Sequence, residues 1–303
     1  MNEKETNIII TRIERWYNRL QGMLIEDRES LTAKYSWSKN SVPFANRLEK
    51  KYKSIQKGES WGKEWDSAWF HLVGKVKKEW ADKIIVADLD FSGEGLVYDP
   101  RGNEIQGITN ASIWDPNFIR TRIIIPKNCI KKDTVELWVE AAANSLFGIY
   151  LDPDPEQDNP KRHGTFDAKV ETIDIGVFRK DIWELYLDAR ILYGLIERLD
   201  KKSTRRARII DSLNKAIIVF KDDDKNTKSS RKILSKELNR RATSSDLKVA
   251  AVGHAHIDTG WLWPVKETIR KCARTFSTQL DLIDKYPDYI FGASMPQHYQ
   301  FMK

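Results

Sequence analysis

Leu247-Lys248-Val249-Ala250-Ala251-Val252-Gly253-His254-Ala255-His256-Ile257-Asp258-Thr259-Gly260-Trp261-Leu262-Trp263 is the stretch that decides the fold. It opens on an apolar run, Val249 to Val252, too short for a membrane span and flanked by turn-type residues. Such a run predicts a strand buried on both faces, as in a parallel sheet. Side chains alternate along a strand, so His254, His256 and Asp258 are expected on one face at its C-terminal end, with Ala255 and Ile257 opposite. Two imidazoles and a carboxylate converging there offer nitrogen and oxygen ligands to Zn²⁺ or a similar divalent ion. The C-terminal ends of parallel strands are also where α/β folds place their chemistry.

A single His near a strand end is commonly a hydrogen-bonded structural residue, and an Asp in the position of Asp258 can cap a following helix. Three alternating ligand-type residues followed at once by Thr259-Gly260-Trp261 favour a metal or active site. The run Gly253-His254-Ala255-His256-Ile257-Asp258-Thr259-Gly260-Trp261-Leu262-Trp263-Pro264 resembles the start of the catalytic domain in zinc-dependent α-mannosidases, glycoside hydrolase family 38. Glu267-Thr268-Ile269-Arg270-Lys271-Cys272, Tyr286-Pro287 and Gln297-His298-Tyr299 are similar to the same family. The resemblance is specific over 246–303 and loose upstream. It implies that His256 and Asp258 are two zinc ligands and that Trp261, with Asp258, binds the substrate as the aromatic platform beneath the mannose ring. His254 matches the motif, but its implied role is to support a ligand from outside the coordination sphere.

Further implications come from the family alone. Its zinc grips sugar hydroxyls and favours the distorted ring of the transition state. Retaining hydrolysis needs two carboxyl groups flanking the bond, and in the family these lie on later strands, as do the Asp and His completing the zinc site. No residue of this chain is therefore assigned as nucleophile or acid/base; both are expected beyond Lys303. The expected whole is an α-mannosidase acting on terminal α-linked mannose in oligosaccharides, with this chain as an inactive N-terminal part. A shortened or split reading frame, or a deliberately cut chain, would account for it. Expected partners are the mannose-containing oligosaccharide and either a second copy of the chain or a complementing C-terminal fragment. The ligand types do not separate zinc from cobalt.

Two other readings stand beside this one. An amidohydrolase-like metal hydrolase would use both His254 and His256 to activate water, yet nothing in that chemistry requires the aromatic pair Trp261 and Trp263. A His-x-His-x-Asp-His metal site is excluded because Thr259 stands where its last His belongs. The non-enzymatic alternative is a carbohydrate-binding or assembly module.

Composition sets the remaining bounds. The 303 residues are 41% hydrophobic and 31% charged, enough for one or two cored domains. No run of eighteen apolar residues exists, so no membrane partner is expected. The N-terminus lacks the basic-then-apolar form of a signal peptide. Only Cys129 and Cys272 are present, which gives no disulfide framework and predicts a cytoplasmic protein. The net charge of +7 could suggest nucleic acid, but the basic residues are interspersed with 44 acids. The densest cluster, Lys201-Lys202 with Arg205-Arg206-Arg208, reads as the solvated side of a helix, so no nucleic-acid partner is expected.

Outward from the motif, the expected fold is α+β and multidomain. Residues 1–60 form a helical lead-in, in which Ile9, Ile13, Trp16, Leu20 and Met23 carry helical spacing over 6–26. Residues 61–155 form a β-sandwich. There Ile85, Ala87, Leu89 and Phe91, and then Val135, Leu137, Val139 and Ala141, alternate with their neighbours between turn signals. Trp61, Trp65, Trp69, Trp114 and Trp138 could line a sugar-binding face, though core packing is the plainer role. After Asp152-Pro153-Asp154-Pro155, residues 156–245 form a helical connector with apolar steps from Phe178 to Leu199. Residues 246–303 are the start of a (β/α) barrel-type catalytic domain, one βαβ unit. Its helix has Pro264 in its first turn and Ile269, Ala273, Phe276, Leu280 and Ile283 as its buried face. One such unit cannot close a barrel, so an open strand edge and an apolar face are expected.

Overall fold

The computed structural model describes residues 3–110, 119–144, 166–240, 248–261 and 263–303. Trp114 and the Asp152–Pro155 linker lie outside the described residues. The chain begins with helix α1 (Glu3–Gly22), then strands β1 (Ile25–Ser30), β2 (Thr32–Ser38), β3 (Lys53–Ile55), β4 (Ser60–Lys63) and β5 (Ser67–Lys75). Strands β6 (Ile85–Asp90), β7 (Glu94–Tyr98), β8 (Glu104–Thr109), β9 (Arg122–Ile124), β10 (Ile130–Lys131) and β11 (Thr134–Ala142) follow. After β12 (Asp167–Lys169) and β13 (Thr172–Phe178) come helices α2 (Lys180–Arg198), α3 (Thr204–Phe220) and α4 (Thr227–Leu238). The C-terminal part holds β14 (Gly253–His254), α5 (Val265–Lys285), β15 (Phe291–Gly292) and α6 (Pro296–Phe301). These elements divide into two units, Met1–Asp27 with Val177–Val249, and Arg28–Gly176 with Ala250–Lys303.

The first unit is helical. Ile13, Trp16, Tyr17 and Leu20 line one side of α1 and are buried, as the three-and-four spacing requires. They pack on the stripes Ile182, Leu185, Tyr186, Ala189 and Leu192 of α2 and Ile209, Ile210, Leu213 and Phe220 of α3. Tyr17 and Tyr186 stack at 4.8 Å between ring centres, with their hydroxyls hydrogen-bonded at 2.8 Å. The N-terminal helix and the helices after the sandwich, read separately from the sequence, thus form one body.

The second unit is a sandwich of two sheets. One runs β1-β13-β6-β9 and the other β3-β2-β5-β11-β7-β8, with β10 added on β11. Period-two patterning builds it: Ala68, Phe70 and Leu72 of β5 face inward, opposite Ala141, Val139 and Leu137 of β11. Phe70 is fully buried, with its ring 5.8 Å from Tyr35, 5.4 Å from Trp61 and 4.3 Å from Phe91.

Strands occur on both sides of the 61–155 span expected from the sequence. β1, β2 and β3 lie before it, and β12 and β13 after it. β1, Ile-Glu-Asp-Arg-Glu-Ser, buries only Ile25; it is a charged edge strand, the kind that avoids unwanted pairing and shows no apolar alternation. β13 buries Ile173, Ile175 and Val177 in true alternation, but its Phe178 also falls in step with α2, which hid the boundary.

Of the candidate sugar-binding tryptophans, Trp61, Trp69 and Trp138 are buried. The outer face of the larger sheet is covered by the segment carrying Val42, Phe44 and Arg47. Trp69 donates its indole N–H to the Val42 carbonyl at 2.8 Å. Phe44 packs on Trp69, Tyr98 and Trp138, and the Arg47 guanidinium lies 4.4 Å above the Trp138 ring. These rings are packing, as the plainer reading had it.

Candidate functional site at the end of a short parallel strand

β14 and β15 pair in parallel, Gly253 with Phe291 and His254 with Gly292, which makes β14-α5-β15 a βαβ unit. A Cβ at Gly253 would lie 2.4 Å from the Tyr289 hydroxyl and 2.9 Å from its ring, so a larger residue there would push the Tyr289 side chain aside. The strand is shorter and barer than its apolar run predicts. Val249 and Val252 are 87% and 58% exposed, because among the described residues β14 pairs with β15 alone.

With the ladder ending at His254, alternation is not sustained, and His254 is set apart from His256 and Asp258, the two expected ligands. His254 Nε2 faces Ser294 Oγ at 3.4 Å. His256 Nε2 faces Asp258 Oδ1 at 3.1 Å, both open to solvent. Two ligand atoms each about 2.0–2.1 Å from one tetrahedral zinc lie roughly 3.3 Å apart, so this pair fits one ion. Among the described residues no group of three or more His, Cys, Asp or Glu is placed to hold a metal. The pair fits as part of a ligand set.

The loop after Asp258 is held by a residue that the sequence reading gave no role. Thr268, fully buried in the first turn of α5, donates its hydroxyl to the Asp258 carbonyl at 3.0 Å. The same oxygen accepts from the Gly260 N–H and from the Trp263 indole, each at 3.0 Å. Gly260 sits at φ +77°, a conformation that glycine adopts freely. Thr259 Oγ1 lies 3.3 Å from Nε2 of the buried His298. Trp261 projects from this loop, 58% exposed, with its ring edge-to-face on Trp263. The residue preceding α5 is Pro264, and no side chain caps the helix; Asp258 is not a cap.

α5 is turned opposite to expectation. Its buried side chains are Glu267, Thr268, Cys272, Arg274, Ser277 and Thr278. Of the apolar face expected inside, Ile269, Leu280 and Ile283 are exposed, Leu280 by 63%, Ala273 is half-buried, and Phe276 is half-buried against Tyr299. The cause is charge: α5 lies on β7 and β8, whose outward side offers carboxylates. Glu94 accepts from Lys271 at 2.6 Å and Arg274 at 2.8 Å. Arg274 also pairs with Glu267, and Arg270 with Glu140 and Glu267. Asn144 donates to Glu94 at 2.6 Å and to Glu267 at 3.1 Å. Gly107 lets the helix approach, since a Cβ there would meet the Arg274 carbonyl at 2.7 Å. Of the apolar surface expected for residues 246–303, Val249, Val252 and Ile290 are exposed beside the strands and Leu280 and Ile283 on α5, and among the described residues β14 and β15 pair with each other alone.

Burial by itself would raise the Glu94 carboxyl, but Arg274 and Lys271, with hydrogen bonds from Lys271 and Asn144, hold it down at about 2. Its folded value therefore lies below its ordinary 4.5. The stability it contributes is present above 4.5 and is lost as pH falls toward about 2. Acid titration of the near-ultraviolet circular dichroism should show α5 loosening in that window, with the step flattened in Glu94→Gln. An identical acid limb in both proteins would refute this.

Comparison with known proteins agrees with this organisation. Residues 29–169 match the family described as alpha-mannosidase, jelly roll domain, and residues 246–303 match the glycosyl hydrolases family 38 N-terminal domain. The first match begins in β1 and ends in β12, one strand before β13, the last strand of the observed sandwich. The chain is 31% identical to alpha-mannosidase G of Dictyostelium discoideum, over 99% of this chain and 28% of that protein. It is 29% identical to alpha-mannosidase 2C1 of Mus musculus, over 94% and 27%. To the alpha-mannosidase of Saccharomyces cerevisiae it is 26% identical, over 88% and 25%. The chain thus spans only about a quarter of the length of these relatives. Among solved structures, a β-glucuronidase of Ruminococcus gnavus is similar over 50% of this chain and 28% of that one, at 12% identity and a TM-score of 0.36, too distant to bear on function. Over its jelly roll, 29–169, and the segment that ends in β15 and α6, 246–303, the chain is similar to the glycosyl hydrolases of family 38 and to proteins named alpha-mannosidase.

Proposed function

We propose that this chain carries the metal- and sugar-gripping part of a retaining α-mannosidase site on a barrel-type catalytic domain. The observation that supports it most is the His256–Asp258 pair, 3.1 Å apart and solvent-facing beyond a parallel strand, with Trp261 presented beside it. His256 and Asp258 would hold a zinc ion, and Trp261 would stack beneath a terminal α-linked mannose, as aromatic rings do on apolar faces. When bound, the ion would supply positive charge to hold sugar hydroxyls. Thr268 fixes the backbone on which Asp258 and Trp261 sit. The two carboxyl groups that such hydrolysis needs would come from the part of the relatives that this chain does not span. Two unpaired, buried cysteines, Cys129 and Cys272, support a cytoplasmic setting. An amidohydrolase-like use of His254 with His256 is less favoured, because His254 is directed at Ser294.

The test is hydrolysis of an aryl α-mannoside by the chain alone and by the chain fused to the remainder of alpha-mannosidase G. No turnover is expected from the chain alone. The fusion should turn over with added Zn²⁺ and lose at least about a hundredfold with His256→Ala and Asp258→Ala together. Equal turnover in the fusion and its double variant would sink the proposal.

A further inference from the structure

We propose that the jelly roll is a positioning element for the Asp258–Trp263 loop, acting through α5. Glu94, Glu140 and Asn144 belong to the sandwich, and they grip α5 by Glu267, Arg270, Lys271 and Arg274. Glu267 and Thr268 are adjacent in the first turn of α5, 1% and 0% exposed. One is bound by the sandwich and the next by the loop, so a single helical turn joins the two. Arg270 adds a hydrogen bond to the Ala141 carbonyl at 2.8 Å, which fixes the helix along its axis.

The chemistry of the contact favours placement over stability. Buried ion pairs repay their desolvation poorly and are often matched or bettered by apolar packing, while fixing register is their best-attested use. Here Nε and Nη1 of Arg274 and Nε of Arg270 have no hydrogen-bond partner among the described residues, a further cost that an apolar interface would avoid. Hydrogen bonds to charged groups are directional, so α5 can dock in one register only. Thr268 then sets where Asp258, Gly260 and Trp263 lie. That this loop binds sugar rests on the function proposed above; the coupling does not.

The reporter is exchange of the Gly260 amide hydrogen, which donates to Thr268 Oγ1, followed at residue resolution in the 303-residue chain. Thr268→Val should speed it at least about tenfold, and Thr268→Ser should leave it within about threefold. Asn144→Ala, a change in the sandwich, should also speed it about tenfold while the Phe70 and Val139 amides of the β5–β11 ladder keep their protection. Leu89→Ala weakens the other sheet without touching α5, and it should leave Gly260 within about threefold. Unchanged Gly260 exchange in Asn144→Ala would overturn the proposal, as would equal acceleration by Leu89→Ala. Neither metal nor sugar enters this measurement, so failure of the zinc-dependent assay would sink the proposed function and leave this result standing.

Discussion

Arg274→Met is expected to destabilise the sandwich unit by up to about 3–5 kcal/mol, because it takes from the buried Glu94 and Glu267 carboxylates the cation they share and leaves each with one, Lys271 and Arg270. The cost comes from the desolvated charges left behind rather than from the lost attraction. Urea unfolding followed by tryptophan fluorescence would measure it, and for a unit of this size the melting temperature should drop roughly 6–20 °C. Replacing the cluster with apolar residues, Lys271 included because Glu94 is its partner too (Arg274→Met, Lys271→Met, Glu94→Leu, Glu267→Leu), should recover most of the loss. Lys285→Ala, which breaks an exposed pair with Asp281 one turn away, should cost no more than about 0.5 kcal/mol. A loss below about 1 kcal/mol in Arg274→Met would mean that the charges are hydrated rather than buried.

Phe70→Ala should cost about 3–5 kcal/mol by a different route, the transfer and cavity terms of a fully buried ring. Its neighbours Tyr35, Trp61 and Phe91 come from three separate segments of the sandwich, so the gap cannot close by moving one of them. Amide exchange separates the two variants. Phe70→Ala should lower protection across β2, β5 and β11, whereas Arg274→Met should lower it in α5 and the Asp258–Trp263 loop first. A Phe70→Ala protein losing less than about 1.5 kcal/mol would show that the two sheets can close over the space.

The sandwich was legible where strands alternate cleanly, in Ile85–Asp90 and Thr134–Ala142, because each has one face in the core. β1 was not legible, since an edge strand of Glu, Asp and Arg leaves no apolar pattern to read. The helix after Pro264 was legible as a helix, but its orientation was not. An apolar stripe says which side avoids water in a complete core; it says nothing of a carboxylate pair, Glu94 and Glu140, set far upstream. For the site, the motif and its family resemblance singled out His256, Asp258 and Trp261, and the structure sets the first two 3.1 Å apart with Trp261 exposed on the same loop. The separation of His254 from them was not legible, because it follows from a strand that ends after two residues. Thr268 lay in a stretch similar to the family, but nothing gave it a role: one threonine in a helical turn matters here only through what folds back onto it.

The seat of α5 has a consequence for the order of synthesis. The sandwich residues that bond to the helix run from Asn40 to Asn144, and the last sandwich strand is finished at Phe178. Val265, where the helix begins, is 87 positions later, so at cellular translation speeds it leaves the ribosome about 4–17 s after that strand. The nascent helix therefore meets a template that has already had time to fold. Its charged side is claimed first, and its apolar side remains turned outward when that step is complete.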